Sequence, residues 1–110
     1  MNTYISVDLT GTTTSEINLL GGVLVGIITP ASIASTNIKI STARAAGETH
    51  VNAYDGIGKY GAVGDFNPTI ASSKYIPVPP EFTCGMSVAK LILGSSETSK
   101  TFIIVVRDIA

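Results

Sequence analysis

The sequence predicts an all-β chain folded as a single-domain β-sandwich, jelly-roll-like, with an immunoglobulin-like sandwich as the alternative topology. Three observations predict it. Ile, Val and Thr occupy 36 of the 110 positions, and their stiff β-branched side chains fit a pleated surface better than a helix. Eleven Gly and five Pro are scattered at short intervals, which cuts the chain into segments too short for an ordinary helix. Between these breaks lie short runs that alternate polar with apolar or are apolar throughout, the two signatures of strands. A typical domain is about 100 to 150 residues, so one domain is expected. Residues 1–15 read as a polar amino-terminal strand and arm, and residues 16–110 as the sandwich.

Each element follows from local pattern. Tyr4 to Leu9 sets Ile5, Val7 and Leu9 against Ser6 and Asp8, a strand with one wet face. Thr10 to Ser15 is then a polar turn or arm. Val23 to Thr29 is apolar on both faces, as a central strand or a subunit contact requires, and Pro30 ends it. Pro30 to Ser35 is compatible with one helical turn, since Pro is tolerated at a first helical position. Asn37 to Thr42 resumes strict alternation, with Ile38 and Ile40 inward. His50 to Tyr54 is a weaker strand, closed by the turn signal Asp55-Gly56. Gly56 to Pro68, with four glycines, reads as a long loop with a short strand near Tyr60 to Val63. Tyr75 to Val78 is a strand edged by prolines, which cannot donate to an inner ladder. Ser87 to Leu93 and Thr101 to Asp108 are strands joined by a polar hairpin loop, Gly94 to Lys100. Phe102 to Val106 is continuously apolar and therefore interior.

Composition removes several functions. Only 14% of residues are charged, the net charge is -1, and no basic or acidic block exists, which leaves no electrostatic footprint for nucleic acid or an anionic membrane surface. The longest apolar stretches are five or six residues, far below the roughly 20 of a membrane-spanning helix. Met1 to Leu9 has neither the basic start nor the apolar run of a secretory signal, so a soluble protein made in the cytoplasm is expected. One Cys84 and one His50 cannot furnish a disulfide or a zinc site.

Catalytic readings fare no better. Asp55-Gly56-Ile57-Gly58-Lys59-Tyr60 fails the phosphate-loop spacing and reads as a Gly-rich turn. His50 with Cys84 could pair as base and nucleophile, against the commoner reading of a half-buried His and a buried Cys acting as a small hydrophobe. Asp55 and Asp65 offer too few hard oxygens for calcium, and Glu48, Glu81 and Glu97 are too dispersed for a glycosidase pair. No enzyme, cofactor or metal is expected. Tyr54, Tyr60, Phe66 and Tyr75 gather around the long loop, where they either cover the end of the core or anchor a protein contact.

Two segments carry a family likeness. Leu20-Gly21-Gly22-Val23-Leu24-Val25-Gly26-Ile27-Ile28-Thr29-Pro30-Ala31 resembles a run in small structural proteins of tailed bacteriophages encoded near the major capsid protein. Pro79-Pro80-Glu81-Phe82, then Lys90-Leu91, the Gly94-Ser95-Ser96 turn and a final apolar strand closing on Arg107, resemble the carboxy-terminal half of that pattern. The chain departs from it at Ile33, where an aromatic is usual, and at Thr42 to Gly47, which replace a Ser-x-Asp-Gly turn.

The resemblance implies a virion protein of the decoration or cement type, bound to the major capsid protein on the outer capsid surface and reinforcing contacts between capsomers. It also implies a homotrimer. Low charge and strands apolar on both faces agree with a homo-oligomer. Candidate capsid or oligomer contacts are Tyr4, Thr12 and Thr13 in the amino-terminal arm, Tyr60 and Phe66 in the long loop, and Arg107 at the end of the last strand. The rival reading is a carbohydrate-binding sandwich, on a virion or tail, weakened by the absence of Trp.

Overall fold

One strand organises the molecule. In the computed structural model, which describes residues 1–108, the chain from Val88 to Arg107 runs as a single strand of 20 residues. The strands in chain order are β1 (Asn2–Thr13), β2 (Ile17–Asn18), β3 (Val23–Ile28), β4 (Ile38–Ala43), β5 (Val51–Asn52), β6 (Tyr54–Asp55), β7 (Gly64–Asp65), β8 (Tyr75–Pro77) and β9 (Val88–Arg107). A 3-10 turn at Pro80–Phe82 precedes β9. Among the described residues, no helix is long and apolar enough to cross a membrane.

Both layers of the sandwich share β9. Its second half pairs with β1 on one side and with β3 on the other, and β3 pairs on with β8. Its first half pairs with β2 and with β4, and β4 pairs on with β5. The result is one antiparallel seven-stranded sheet folded over on itself, an all-β sandwich in a single domain. The fold line lies where β1 loses register with β9, on either side of Gly11. Gly11 has φ +106° and Ser99 has φ +49°, and such bulges bend a strand and increase its twist.

Register assigns the paired side chains of the first layer, formed by β1, the second half of β9, β3 and β8, to a face. The rows Ile5–Ile104–Ile27–Ile76 and Val7–Phe102 point inward. Ile38–Leu93, Ile40–Leu91 and Ile17–Ala89 oppose them from the second layer, and these side chains form one continuous core. The outer face of the first layer carries the rows Tyr4–Val105–Gly26 and Ser6–Ile103–Ile28–Tyr75. This face is mainly apolar, whereas the outer rows of the second layer mix Lys39, Ser41 and Lys90 with Ile92, Ala43 and Val88.

Of the expected strand Val23 to Thr29, Val23 to Ile28 forms β3, and it and Phe102 to Val106 are interior strands, as their two apolar faces require. Four local expectations differ from what is found. Thr10 to Ser15 continues β1 to Thr13, so most of the expected arm is a strand laid on β9. Gly94 to Lys100 is strand, where a hairpin loop was expected. Pro30 to Ser35 makes no helical turn, because side chains take its amides: Ser72 Oγ accepts from Ile33, and the Glu97 carboxylate accepts from Ala34 and Ser35. The short strand of the long loop lies at Gly64–Asp65 and not at Tyr60 to Val63.

Candidate interaction surface

The chain between Tyr54 and Asp65 leaves the sandwich as a small ribbon, because among the described residues β6 and β7 pair only with each other. Asp55 organises its tip. The buried carboxylate accepts from the amides of Lys59 (3.0 Å) and Tyr60 (2.8 Å). The Tyr60 amide does most to hold its carboxyl below the ordinary value against the opposing effect of burial, with the amides of Lys59, Ile57 and Gly58 adding to it. Gly58 permits the turn: at φ +71° a side chain is strained, and a β-carbon there would also crowd the Gly61 carbonyl.

Aromatic side chains support the tip from beneath. Tyr60 meets Phe66 edge-on at 6.1 Å between ring centroids and Phe82 at 5.7 Å, and Phe66 lies 4.6 Å from Phe82. Arrangements of this kind add to what area burial alone contributes. The Tyr60 hydroxyl donates to the Glu81 carboxylate, which raises the tyrosine's pKa and lowers that of Glu81. Lys59 completes the cluster, 3.9 Å from Glu81 and 5.3 Å from the centre of the Tyr60 ring. The Pro80–Phe82 turn brings in both Glu81 and Phe82.

On this scaffold, apolar side chains face solvent. Tyr54 is 62% exposed, Ile57 83%, Val63 61% and Tyr60 41%. Tyr60 also borders an open apolar groove lined by Phe66, Pro68, Ile76, Val78 and Pro80. Prolines and a turn already fixed by Asp55 have little conformational freedom left to lose, so docking here carries a small entropic penalty.

The structure brings together only some of the expected contact residues. Tyr60 and Phe66 touch, but Phe66 is 6% exposed and acts as support. Tyr4 and Arg107 share the outer face of the first layer, in adjacent outward rows of β1 and β9. Thr12 and Thr13 are exposed at the far end of β1. Of the four aromatics expected around the loop, Tyr75 sits instead against Gly26 on that outer face, and Phe82 takes its place in the cluster. Ile57 and Val63 were not singled out, although two bulky aliphatics among glycines in a loop are themselves a signal.

The remaining candidate residues have structural partners or positions of their own. His50 contacts Glu16 (2.7 Å) through Nε2 and Ser41 (3.3 Å) through Nδ1. Cys84 is exposed, contrary to the buried position expected of it, because it follows the Pro80–Phe82 turn on the surface. Asp65 contacts Lys39 (3.4 Å) and accepts from Asn52 (2.9 Å), while the Asp55 carboxylate serves the tip.

Fold and surface together define a small antiparallel β-sandwich that presents an exposed apolar tip. A solved structure with the same fold is the SPBc2 prophage-derived protein YomS. It matches with a TM-score of 0.58 at 13% sequence identity, over 96% of this chain and 94% of that one. No family model matches the chain, and no curated protein matches it.

Proposed function

We propose that this chain is a non-enzymatic structural protein of a phage particle, a capsid decoration or cement protein that binds the major capsid protein on the outer shell and stabilises contacts between capsomers. The observation that carries the reading is the tip: Tyr54, Ile57, Tyr60 and Val63 stand in solvent on a turn fixed by Asp55. Exposed apolar groups on a rigid support are what a protein-binding anchor needs. The likeness of Leu20 to Ala31 and of the last strands to small phage structural proteins supports the same reading, as does a fold shared with a prophage-derived protein.

The test is addition of the purified chain to capsid shells assembled without it, followed by sedimentation and measurement of the shell rupture temperature. Wild type is expected to co-sediment and raise that temperature, because a ligand that binds only the intact state stabilises it. Ile57→Asp, a substitution at a solvent-exposed position, is expected to do neither while folding normally. Wild type that fails to bind shells overturns the reading, and binding to a glycan array in its place would favour the carbohydrate-binding module.

A further inference from the structure

The side of β1 that faces away from β9 is bare: among the described residues β1 pairs with β9 alone. The groups left open follow from the terminus. The Asp108 amide donates to the Met1 carbonyl, which marks these two as a hydrogen-bonded pair, and such pairs recur at every second residue of an antiparallel ladder. Thr3, Ile5 and Val7 therefore direct their backbone groups to β9. Those of Asn2, Tyr4, Ser6 and Asp8 point to the open edge. Edge strands are ordinarily blunted by Pro, Lys or an inward-pointing charge. Asn2 to Leu9 contains none of these, and its single charge, Asp8, lies on the outer face accepting from the Thr101 hydroxyl.

A groove lined by Ile5, Val7, Glu16, Ile17 and Leu20 runs beside this edge. Leu20 is 59% exposed and sits at φ +57°, a left-handed conformation uncommon for a bulky residue.

We propose that this edge binds the same edge of a second copy of the chain, β1 against β1, antiparallel about a two-fold axis through Ile5. The register is set by complementarity. It places Asn2 opposite the partner's Asp8 and Tyr4 opposite the partner's Ser6, using all four open residues of each copy in up to about eight backbone hydrogen bonds. Arg107 neighbours Asn2 on the outer face, so the partner's Asp8 arrives within reach of its long side chain, and symmetry repeats the ion pair at the other end. The two Tyr4 rings become diagonal neighbours, a separation aromatics span. On the inner face Ile5 meets the partner's Ile5, and the partner's Thr3 comes opposite Val7, which fills the groove beside Leu20. The contact is isologous, a two-fold pairing in place of the trimer implied by the family resemblance, and it stands independently of the capsid reading.

The experiment is light scattering and sedimentation equilibrium on the full chain up to about 1 mM, a range that detects even weak association. A dimer is expected. Ser6→Pro removes an amide that faces the open edge and not β9, so a folded chain with dimerisation weakened at least about 30-fold is expected. Asp8→Lys and Arg107→Glu are each expected to weaken the dimer about tenfold, and the double variant to return to within about threefold of wild type. Within one chain the two cannot pair: Asp8 is opposite Thr101, six residues and about 20 Å along β9 from Arg107. Rescue in the double variant therefore reports a contact between copies. A strictly monomeric wild type, a folded Ser6→Pro variant that dimerises undiminished, or a double variant no tighter than the singles overturns the proposal.

Discussion

The ring of Tyr75, on the edge strand β8, lies against the backbone of Gly26 in β3, and its hydroxyl donates to the Val25 carbonyl at 3.2 Å. A β-carbon at position 26 would overlap the ring. Gly26 is also the cross-strand neighbour of Val105, whose other neighbour is Tyr4. The two tyrosines thus flank the most buried position of the outer face, and Val105 stays buried on the side of the sheet that faces away from the core.

Gly26→Ala is expected to displace the Tyr75 ring and to destabilise the chain by about 1 to 3 kcal/mol, the usual range for overpacking. Thermal melts of Gly26→Ala, Tyr75→Ala and the double variant check this. The double variant should lose less than the sum of the two single losses, since with the ring gone the methyl has room.

Ile104→Asp places a charge in the innermost row of the sandwich, beside Ile5 and Ile27 and fully buried. An unpaired buried charge costs several kcal/mol against a total of about 5 to 15. The variant should lose its cooperative melt, and a near-wild-type transition by circular dichroism would contradict the inward placement of this row.

Hydrophobic pattern made the interior legible and left the connections obscure. Val23 to Ile28 and Phe102 to Val106 announce themselves by apolar residues at consecutive positions, because both faces of these strands are covered. Gly94 to Lys100 carries a Gly and mostly hydroxyl side chains, so it reads as a turn. It is strand because it crosses the fold line between the layers, where most side chains face water and only Glu97 is buried. Nothing local distinguishes such a crossing from a hairpin, since the information lies in the partners Ser35 and Ala34, some sixty residues earlier in the chain. The candidate surface was half legible. Tyr60 and Phe66 stood out as aromatics in a glycine loop, whereas Phe82 joins them only through a turn distant in sequence.

Acid is expected to destabilise the fold through carboxylates held below their ordinary pKa. At Glu97 burial acts to raise the pKa, but the Ser35 hydroxyl and the amides of Ala34 and Ser35 outweigh it, so the net shift is downward. A lowered folded-state pKa contributes stability that is fully present above the unfolded value, about 4.3 for Glu, and is lost as pH falls through the folded value. Glu16, chiefly through His50, and Asp55, chiefly through the Tyr60 amide, shift in the same direction. The melting temperature should therefore be flat from pH 7 to about 5 and fall steeply below about 4. Glu97→Gln should reduce that slope and cost about 1 to 3 kcal/mol at pH 7, having lost a charged acceptor for buried donors.

Asp55→Ala should loosen the tip without unfolding the sandwich, because the pairing of β6 with β7 is separate from the main sheet. The amides of Lys59 and Tyr60 lose their acceptor, so hydrogen exchange at these two positions should accelerate at least about tenfold while the β9 amides remain protected. Equal acceleration across β9 would mean that the ribbon and the sandwich open as one unit.

Shell binding, if it runs through the tip, should be nearly indifferent to salt. The charges near the tip are already engaged within the chain: Asp55 by backbone amides, and Glu81 by Tyr60 and Lys59. What remains free to meet a partner is apolar, namely Tyr54, Ile57 and Val63. Screening at high salt acts on exposed charges and leaves apolar burial unweakened. The affinity for shells measured between about 50 and 500 mM NaCl should therefore change by less than about threefold. Calorimetry should show a negative heat-capacity change, the robust marker of apolar burial on binding. An affinity that falls tenfold or more over that range would place the contact on charged residues, with Lys39 and Lys90 of the second layer the first to substitute.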